Sequence, residues 1–334
     1  MAYISGISYY TPAHSLTNEM LKNKYPQWDV KKFEQMTGIK NRFISAPDEF
    51  TSDMAIKASN SLFQEFNIDK NTIDFIILCT QTPDYTLPST ACIVQDALGL
   101  PTTTGALDVN LGCSGYVYCL ALAKGLIDTG ICEKILLITS EVYSKYIHPN
   151  DKTNQSIFGD AATASLITKA KGMFQLNEFV FGTDGSGANN LIVKEGAGRS
   201  LKRNFVETYD NFGNVLSDSY LYVNGNNIFN FSVNAVPKLV NQVIEKNRLK
   251  FEDVNYFLFH QANSFILEHV RKKMNIPVEK FIKSIEKFGN TTSSTIPIAF
   301  KEYQMDHTFT MGDKILLSGY GVGYSWSGCV IEAS

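Results

Sequence analysis

Short apolar runs bounded by turn residues recur along the chain, and most alternate with stretches of helical period. The run Phe75–Cys79 is brief and wholly apolar, as expected of a strand buried on both faces. A helical pattern over 51–66 precedes it. Another helix near 89–98 follows and is broken by Gly99 and Pro101. Strands are then expected at 106–110, 134–139 and 162–168, with a long helix from Ser114 to Asp128 that ends at Gly130. The second part of the chain predicts helices over 231–247, 263–274 and about 293–304. Its strands fall at 256–259, 314–318 and 327–332. The opening MAYISGISYY reads as a first strand, and residues 172–230, rich in Asn, Gly and aromatics, as a decorated stretch with long loops. Strands that alternate with helices and have near-continuous apolar cores indicate parallel or mixed sheets covered on both faces.

The pattern repeats itself. IDFIILCT at 73–80 resembles VNYFLFHQ at 254–261, LGCS at 111–114 lies opposite FGNT at 288–291, and KILL occurs at both 134–137 and 314–317. The offsets, 181, 177 and 180, are nearly constant and keep the same order. The chain therefore reads as two duplicated halves, 1–171 and 172–334, packed tightly with no Pro/Ser-rich linker. Two stacked α/β halves of this kind give five alternating layers.

Composition narrows the classes of function. The 334 residues are 44% hydrophobic and 19% charged, which describes a globular chain with a large core and not a disordered one. The formal charge is −3 and the longest basic run is Arg271-Lys272-Lys273, which argues against nucleic acid as a partner. No run of eighteen apolar residues is present, so no membrane-spanning helix is expected. The N-terminus lacks signal-peptide character, which points to the cytoplasm and to reduced thiols. None of the six cysteines forms a C-x-x-C pair or stands at zinc-ligand spacing from a histidine, so no metal is expected. Cys79, Cys92 and Cys329 read as small buried hydrophobes. His14, His148, His269 and His307 stand in polar or loop-like contexts and read as surface residues. No P-loop or nucleophile elbow occurs, and GYGVGYS at 319–325 has no following helix to receive a phosphate.

The remaining chemistry centres on Cys113. It lies in DVNLGCSGYVY, where a strand gives way to a helix. Unpaired N–H groups and the positive end of the helix dipole favour thiolate there. Gly112 and Gly115 permit a sharp turn and close approach. Taken alone, Cys113 reads equally as a nucleophile or as a structural cysteine. His260 alone reads as a core histidine and Asn290 alone as a helix cap. Under the duplication, however, all three fall at corresponding strand ends, where α/β sheets collect ligands.

The motifs DVNLGCSGYVY, SIFGDAATA (156–164), HQAN (260–263), GNTTSSTIP (289–297) and GYGVGYSWSG (319–328), with TGI at 37–39, resemble the β-ketoacyl-acyl carrier protein synthase III group of the thiolase-like superfamily. The resemblance covers almost the whole chain. It implies a thiolase-like α/β fold with five layers, αβαβα, and a homodimer with a Cys113-His260-Asn290 triad. It further implies acylation of Cys113 by acyl-coenzyme A or acyl carrier protein, then decarboxylative condensation with a malonyl thioester to a β-ketoacyl product, without metal or redox cofactor. Coenzyme A and phosphopantetheine thioesters enter as substrates. The backbone N–H groups of Cys113 and Val322 are implied as the oxyanion donors. Lys152, Gly225, Phe229 and Asn263 are implied along the thiol arm, and Leu87 in the partner subunit's acyl pocket.

The chain also departs from the family pattern. Lys32 and Met36 stand where a tryptophan and an arginine commonly clasp the adenine, and Trp28 lies one helical turn before. Lys152 replaces a more usual arginine, with loss of the bidentate fork. Phe265 stands where an arginine docks carrier protein, while Lys272 and Lys273 remain on the same helix. These departures leave three other activities in view on the same scaffold: acyl transfer to an amine or hydroxyl, a non-catalytic partner subunit, and cysteine-dependent hydrolysis.

Overall fold

A computed structural model describes residues 1–211 and 213–334. Ten strands form one hydrogen-bonded series. They are β1 (Tyr3–Tyr10), β2 (Phe75–Cys79), β3 (Gly105–Val109), β4 (Lys134–Glu141), β5 (Ala161–Thr168), β6 (Phe174–Thr183), β7 (Tyr256–Phe259), β8 (Phe281–Ile282), β9 (Lys314–Gly321) and β10 (Ser325–Ala333). Their spatial order, β3-β2-β4-β5-β1-β6-β10-β9-β7-β8, has a pseudo-twofold between β1 and β6. Each strand of the first five corresponds to the strand numbered five higher. The pairing sense repeats as well. β2 runs parallel to β3 and β4 while β5 is antiparallel to β4 and β1; β7 runs parallel to β8 and β9 while β10 is antiparallel to β9 and β6. The two sets meet edge to edge only at Tyr3 opposite Gln175 and Ile4 opposite Phe174.

Six principal helices complete the layers: α1 (Thr51–Glu65), α2 (Thr90–Ala97), α3 (Gly115–Asp128), α4 (Gly225–Lys246), α5 (Ser264–Lys273) and α6 (Thr295–Asp306). The period of two along each strand decides which helices cover which face. On β2, Ile76 and Leu78 face α1 and α2, where Met54, Ala58, Leu62 and Val94 cover them. Ile77 and Cys79 point the other way, onto Tyr116, Leu120 and Ala123 of α3. In the second set, Leu316 and Phe257 lie under Leu239 and Val243 of α4 and Leu267 of α5, whereas Leu317 and Leu258 face the middle. α3 and α6 thus lie between the sheets and contribute to one shared core, through Leu120 and Ile127 on one and Ile296 and Phe300 on the other. The sequence of layers is α1/α2, sheet, α3/α6, sheet, α4/α5. A helix apolar on most sides, as α3 is, belongs in such a middle layer.

Two elements differ from the sequence expectation. Residues 174–183 form a ten-residue core strand where long loops were expected, and Phe281–Ile282 forms a short edge strand that no pattern signalled. The residues of β6 alternate in burial, so only half of them carry an apolar signal.

The carboxyl ends of the parallel strands open toward one region, and a buried acid braces it. Glu141 ends β4 with no exposed surface. Its carboxyl accepts from the Gln81 N–H at 3.1 Å, the Thr82 hydroxyl at 3.2 Å and the Ser293 hydroxyl at 2.8 Å. One side chain therefore ties the segment after β2 to the segment before α6. Burial pushes its pKa up to about 8, against the opposing effect of those three donors.

The folded chain holds this proton over a range in which an unfolded carboxyl, with a pKa of about 4.3, has already lost it. More protons are bound by the native state there, so stability falls as pH rises through the interval. Replacing Glu141 by Gln is expected to flatten the decline in unfolding free energy between about pH 5 and 8. Denaturant titrations at several pH values measure it, and an equally steep decline in the variant removes Glu141 as the source.

Candidate active site

Cys113 occupies the turn between β3 and α3 and is only 5% exposed. Its position is set by glycines from both halves. A Cβ at Gly112 would stand 2.4 Å from the Gln81 Oε1, and one at Gly115 2.2 Å from the Cys79 sulfur. From the other half, a Cβ on Gly319 would lie 2.8 Å from the Cys113 carbonyl oxygen. One on Gly321 would lie 2.7 Å from the Cys113 sulfur. Gly319 and Gly321 of GYGVGYS thus serve close backbone approach to the cysteine turn, whereas Gly323 stands in open space with a positive φ of 68°. Hydroxyl contacts lock the same junction: Ser114 and Ser325 share a hydrogen bond of 2.6 Å, and the Ser327 hydroxyl donates to the Ser114 carbonyl at 2.9 Å.

The backbone N–H groups of Val322 and of Cys113 itself face the sulfur and favour its anion. Burial outweighs them and, with the Glu141 charge adding to it, pushes the thiol up to about 12. The resting group is therefore a thiol. This corrects the expectation that the helix terminus alone yields a thiolate: enclosure between two sheets costs the anion more than the two N–H groups return.

His260 follows β7 directly, and its N–H donates to the Ser318 carbonyl at 2.8 Å, which fixes it beside β9. The ring is 2% exposed. Its Nδ1 lies 2.7 Å from the Thr295 Oγ1, and the ring meets Tyr320 edge-on with centroids 5.7 Å apart. Burial lowers the imidazole to about 3, with the Thr292 carbonyl opposing the shift, so the ring is neutral at physiological pH. Asn290 is also buried, and its Oδ1 accepts from the Thr292 N–H at 3.0 Å. Its own N–H donates to the Ile157 carbonyl at 2.9 Å, and its carbonyl accepts from the Gly159 N–H at 3.1 Å. The SIFGDAATA segment thereby holds the asparagine loop. The Thr292 methyl would stand 3.2 Å from a Cβ on Gly112. Cys113, His260 and Asn290 are brought into one buried region through Gly112, Thr292, Thr295 and Tyr320.

The other expected residues have different settings. Asn263 caps α5 by accepting from the Ile266 N–H at 2.9 Å and also lines a cavity of about 270 Å³ with Trp28, Met36, Thr153 and Phe265. Trp28 packs on Phe33 with ring centroids 4.7 Å apart and planes tilted by 49°, beside Met36 and at the rim of this cavity. Lys152 opens the short helix Lys152–Ile157, next to Thr153. Gly225 opens α4 in open space, and Phe229 one turn later packs on Phe265 at 5.2 Å. Leu87 is 80% exposed. Lys272 and Lys273 are both exposed, and the Lys273 ammonium donates to the Val233 carbonyl at 2.8 Å.

Two further expectations are overturned. His148 is buried, not superficial. It lies 3.0 Å from a Glu207 carboxylate oxygen, and its Nδ1 accepts from the Asn150 N–H. Cys92 is exposed on α2, beside the Ser89 hydroxyl, because it falls on the solvent side of a helix whose other face carries Ala91 and Val94. Gln81, Glu141, Tyr143 and Thr295 adjoin the site without having been singled out. Tyr143 donates to the Gln81 Oε1 at 2.7 Å. The one available signal was the acidic residue ending the apolar run at 134–141. Among the described residues, no group of histidine, cysteine or acidic side chains is placed to hold a metal.

Known proteins resemble this chain in sequence and in fold. A family model described as 3-oxoacyl-[acyl-carrier-protein] synthase III matches residues 107–185, and its C-terminal counterpart matches 244–333. A β-ketoacyl-[acyl-carrier-protein] synthase III of Clostridium perfringens is 34% identical over 331 residues, 99% of both chains. One from Lactococcus lactis subsp. lactis is 35% identical over 334 residues, again 99% of each. A 2.1 Å crystal structure of a 3-oxoacyl-(acyl-carrier-protein) synthase III superposes with a TM-score of 0.96 at 45% identity, covering 99% of each chain. The Thermus thermophilus enzyme gives 0.86 at 32% identity, with the same coverage. With its thiolase-like layers and the Cys113 region matching over full length, the chain belongs to the β-ketoacyl-[acyl-carrier-protein] synthase III family.

Proposed function

We propose that this chain condenses an acyl group, held as a thioester on Cys113, with a malonyl thioester on acyl carrier protein, so initiating a fatty-acid or related acyl chain. The observation that carries this reading is the pair of N–H groups, from Cys113 and Val322, facing a buried sulfur where the His260 and Asn290 segments converge. The sulfur attacks the carbonyl of an acyl-coenzyme A or acyl-carrier thioester. The new C–S bond replaces the old one, and the thiol proton ends on the departing thiol. The two N–H groups hydrogen-bond the tetrahedral oxygen. The malonyl thioester then loses CO₂, and the electrons of the broken C–C bond move onto its thioester oxygen. His260 and Asn290 donate to that oxygen. The enolate carbon attacks acyl-Cys113, the β-ketoacyl product departs on its carrier, and the freed sulfur takes up a proton. A neutral imidazole suits this donor role, because it stabilises charge without carrying any.

Lys152, Gly225, Phe229 and Asn263 are read as the pantetheine path, with Trp28, Met36 and Phe265 at its rim in place of the usual adenine clasp. Lys272 and Lys273 are read as the carrier-protein docking patch. We take the protein to be a homodimer. Support comes from the uncovered sheet edge at β3 and from the exposed apolar side chains Tyr85, Leu87, Leu122 and Phe181. Leu87 then reaches the partner's acyl pocket. The division at 171/172 is read as a duplication, supported by the five-strand repeat in sheet order. Cytoplasmic residence fits a chain with no helix, among the described residues, long and apolar enough to cross a membrane.

Intact mass after incubation with acyl-coenzyme A or acyl carrier protein tests the scheme. The expected result is an adduct on Cys113 that clears with malonyl carrier protein and evolves CO₂; clearance in water or with an amine acceptor alone would replace condensation by hydrolysis or transfer. Cys113→Ser is expected to form no adduct. Asn290→Ala should acylate yet condense about 10²–10³-fold more slowly, the usual effect of losing one donor to a developing oxyanion. Normal condensation by that variant would remove Asn290 from the mechanism. Because the thiol is pushed up to about 12, alkylation of Cys113 by iodoacetamide should rise roughly tenfold per pH unit between pH 7 and 9. A plateau over that range would mean a standing thiolate.

A further inference from the structure

His260 does its proposed work through whichever ring nitrogen faces the reacting oxygen, and that nitrogen must carry hydrogen to donate. In a neutral imidazole only one nitrogen does, and the hydrogen bond made by the other decides which. Nδ1 of His260 is 2.7 Å from the Thr295 hydroxyl oxygen. The same hydroxyl oxygen is 3.0 Å from the Thr292 carbonyl. Both side chains are sealed from solvent, at 2% exposure each, so no bulk water competes for them.

A hydroxyl has one hydrogen to give. If it points to the Thr292 carbonyl, Nδ1 must carry the ring hydrogen, since otherwise two lone pairs would face each other at 2.7 Å. Nε2 is then bare and can only accept. If the hydroxyl points instead to Nδ1, its nearer neighbour, the ring hydrogen sits on Nε2 and the far edge of the ring becomes a donor. A thioester oxygen gaining negative charge requires the second state. We propose that Thr295 is a positioning residue whose hydroxyl donates to Nδ1 of His260 and so holds the ring in its Nε2–H tautomer, aimed as a donor at the condensation oxygen. Thr295 opens α6, so the helix that fills the middle of the core also sets the tautomer. Without the hydroxyl, the Thr292 carbonyl remains as an acceptor beside the ring and draws the hydrogen to the wrong nitrogen.

The inference rests on the condensing role proposed for His260, but its central claim can be read without turnover. Nitrogen-15 NMR of the histidine-labelled, unliganded protein, with the His260 resonances assigned through their loss in His260→Ala, reports which ring nitrogen is protonated. The wild type should show Nε2–H. Thr295→Val, close in shape but lacking the donor, should show Nδ1–H, and Thr295→Ser should restore the wild-type pattern. In parallel, with acyl-coenzymes A from acetyl to octanoyl as acyl donors and malonyl carrier protein as acceptor, Thr295→Val should acylate Cys113 within a few-fold of wild type. It should condense about 10²–10³-fold more slowly, with Thr295→Ser largely rescued.

An Nδ1–H or doubly protonated ring in the wild type overturns the proposal, whether or not the variants fold. So does a Thr295→Val protein that keeps Nε2–H, or one that loses acylation and condensation together. A wild type that shows Nε2–H but performs no condensation leaves the tautomer assignment standing and removes the functional reading instead.

Discussion

Two stretches of backbone from opposite halves of the chain come into contact at one cysteine, and the rest of the structure serves that contact. Gly319 and Gly321 bring β9 so near the Cys113 turn that a single methyl at either position would overlap the carbonyl or the sulfur. This closeness places the Val322 N–H against the sulfur beside the cysteine's own N–H. It also explains a loop that looks, in the primary structure, like a failed phosphate cradle. Gly319 makes room for the backbone of the Cys113 turn, and Gly321 for its thiol.

Enclosure has an electrostatic cost that the site distributes among neutral donors. The thiol, the imidazole and the Glu141 carboxyl are each shifted by burial toward their uncharged forms. A region that keeps its own charges low leaves its dipoles to respond to the charge of the reaction, which is the condition for strong oxyanion stabilisation. Hydroxyl groups supply much of the polar framework. Thr139, Thr163 and Ser294 form one chain of hydrogen bonds between the halves, and Ser114 with Ser325 forms another. Such groups bridge the two halves without introducing ions that would need pairing in the interior.

Much of the fold was legible because the buried strands are uninterrupted apolar runs. Ile76 to Cys79 and Phe257 to Phe259 announce themselves, as do Ile135 to Leu137 and Ile315 to Leu317, and the similarity within each pair exposes the repeat. The strand Phe174–Thr183 did not, since Gln175, Asn177 and Glu178 alternate with its core residues in an Asn/Gly-rich neighbourhood. Cys113, His260 and Asn290 were found because strand ends in duplicated halves could be matched. Glu141 and Thr295 escaped notice because an acid after a strand and a threonine at a helix start have commonplace explanations. Only coordinates show what they touch. The state of the thiol is hidden in the sequence for a related reason: a linear chain displays the helix terminus and conceals the second sheet lying over it.

The seam between β1 and β6, only two residue pairs long, has a bearing on how the site stays aligned. So short a strand junction gives little control over the separation of the sheets. That separation is left to the girth of α3 and α6, to side chains such as Leu120, Ala123, Ala299 and Phe300. In a medium packed as densely as a crystal, a methylene added there moves one sheet relative to the other. The spacer that sets the stroke between imidazole and sulfur is therefore a slab of hydrocarbon, and residues that never meet a substrate share in tuning the chemistry.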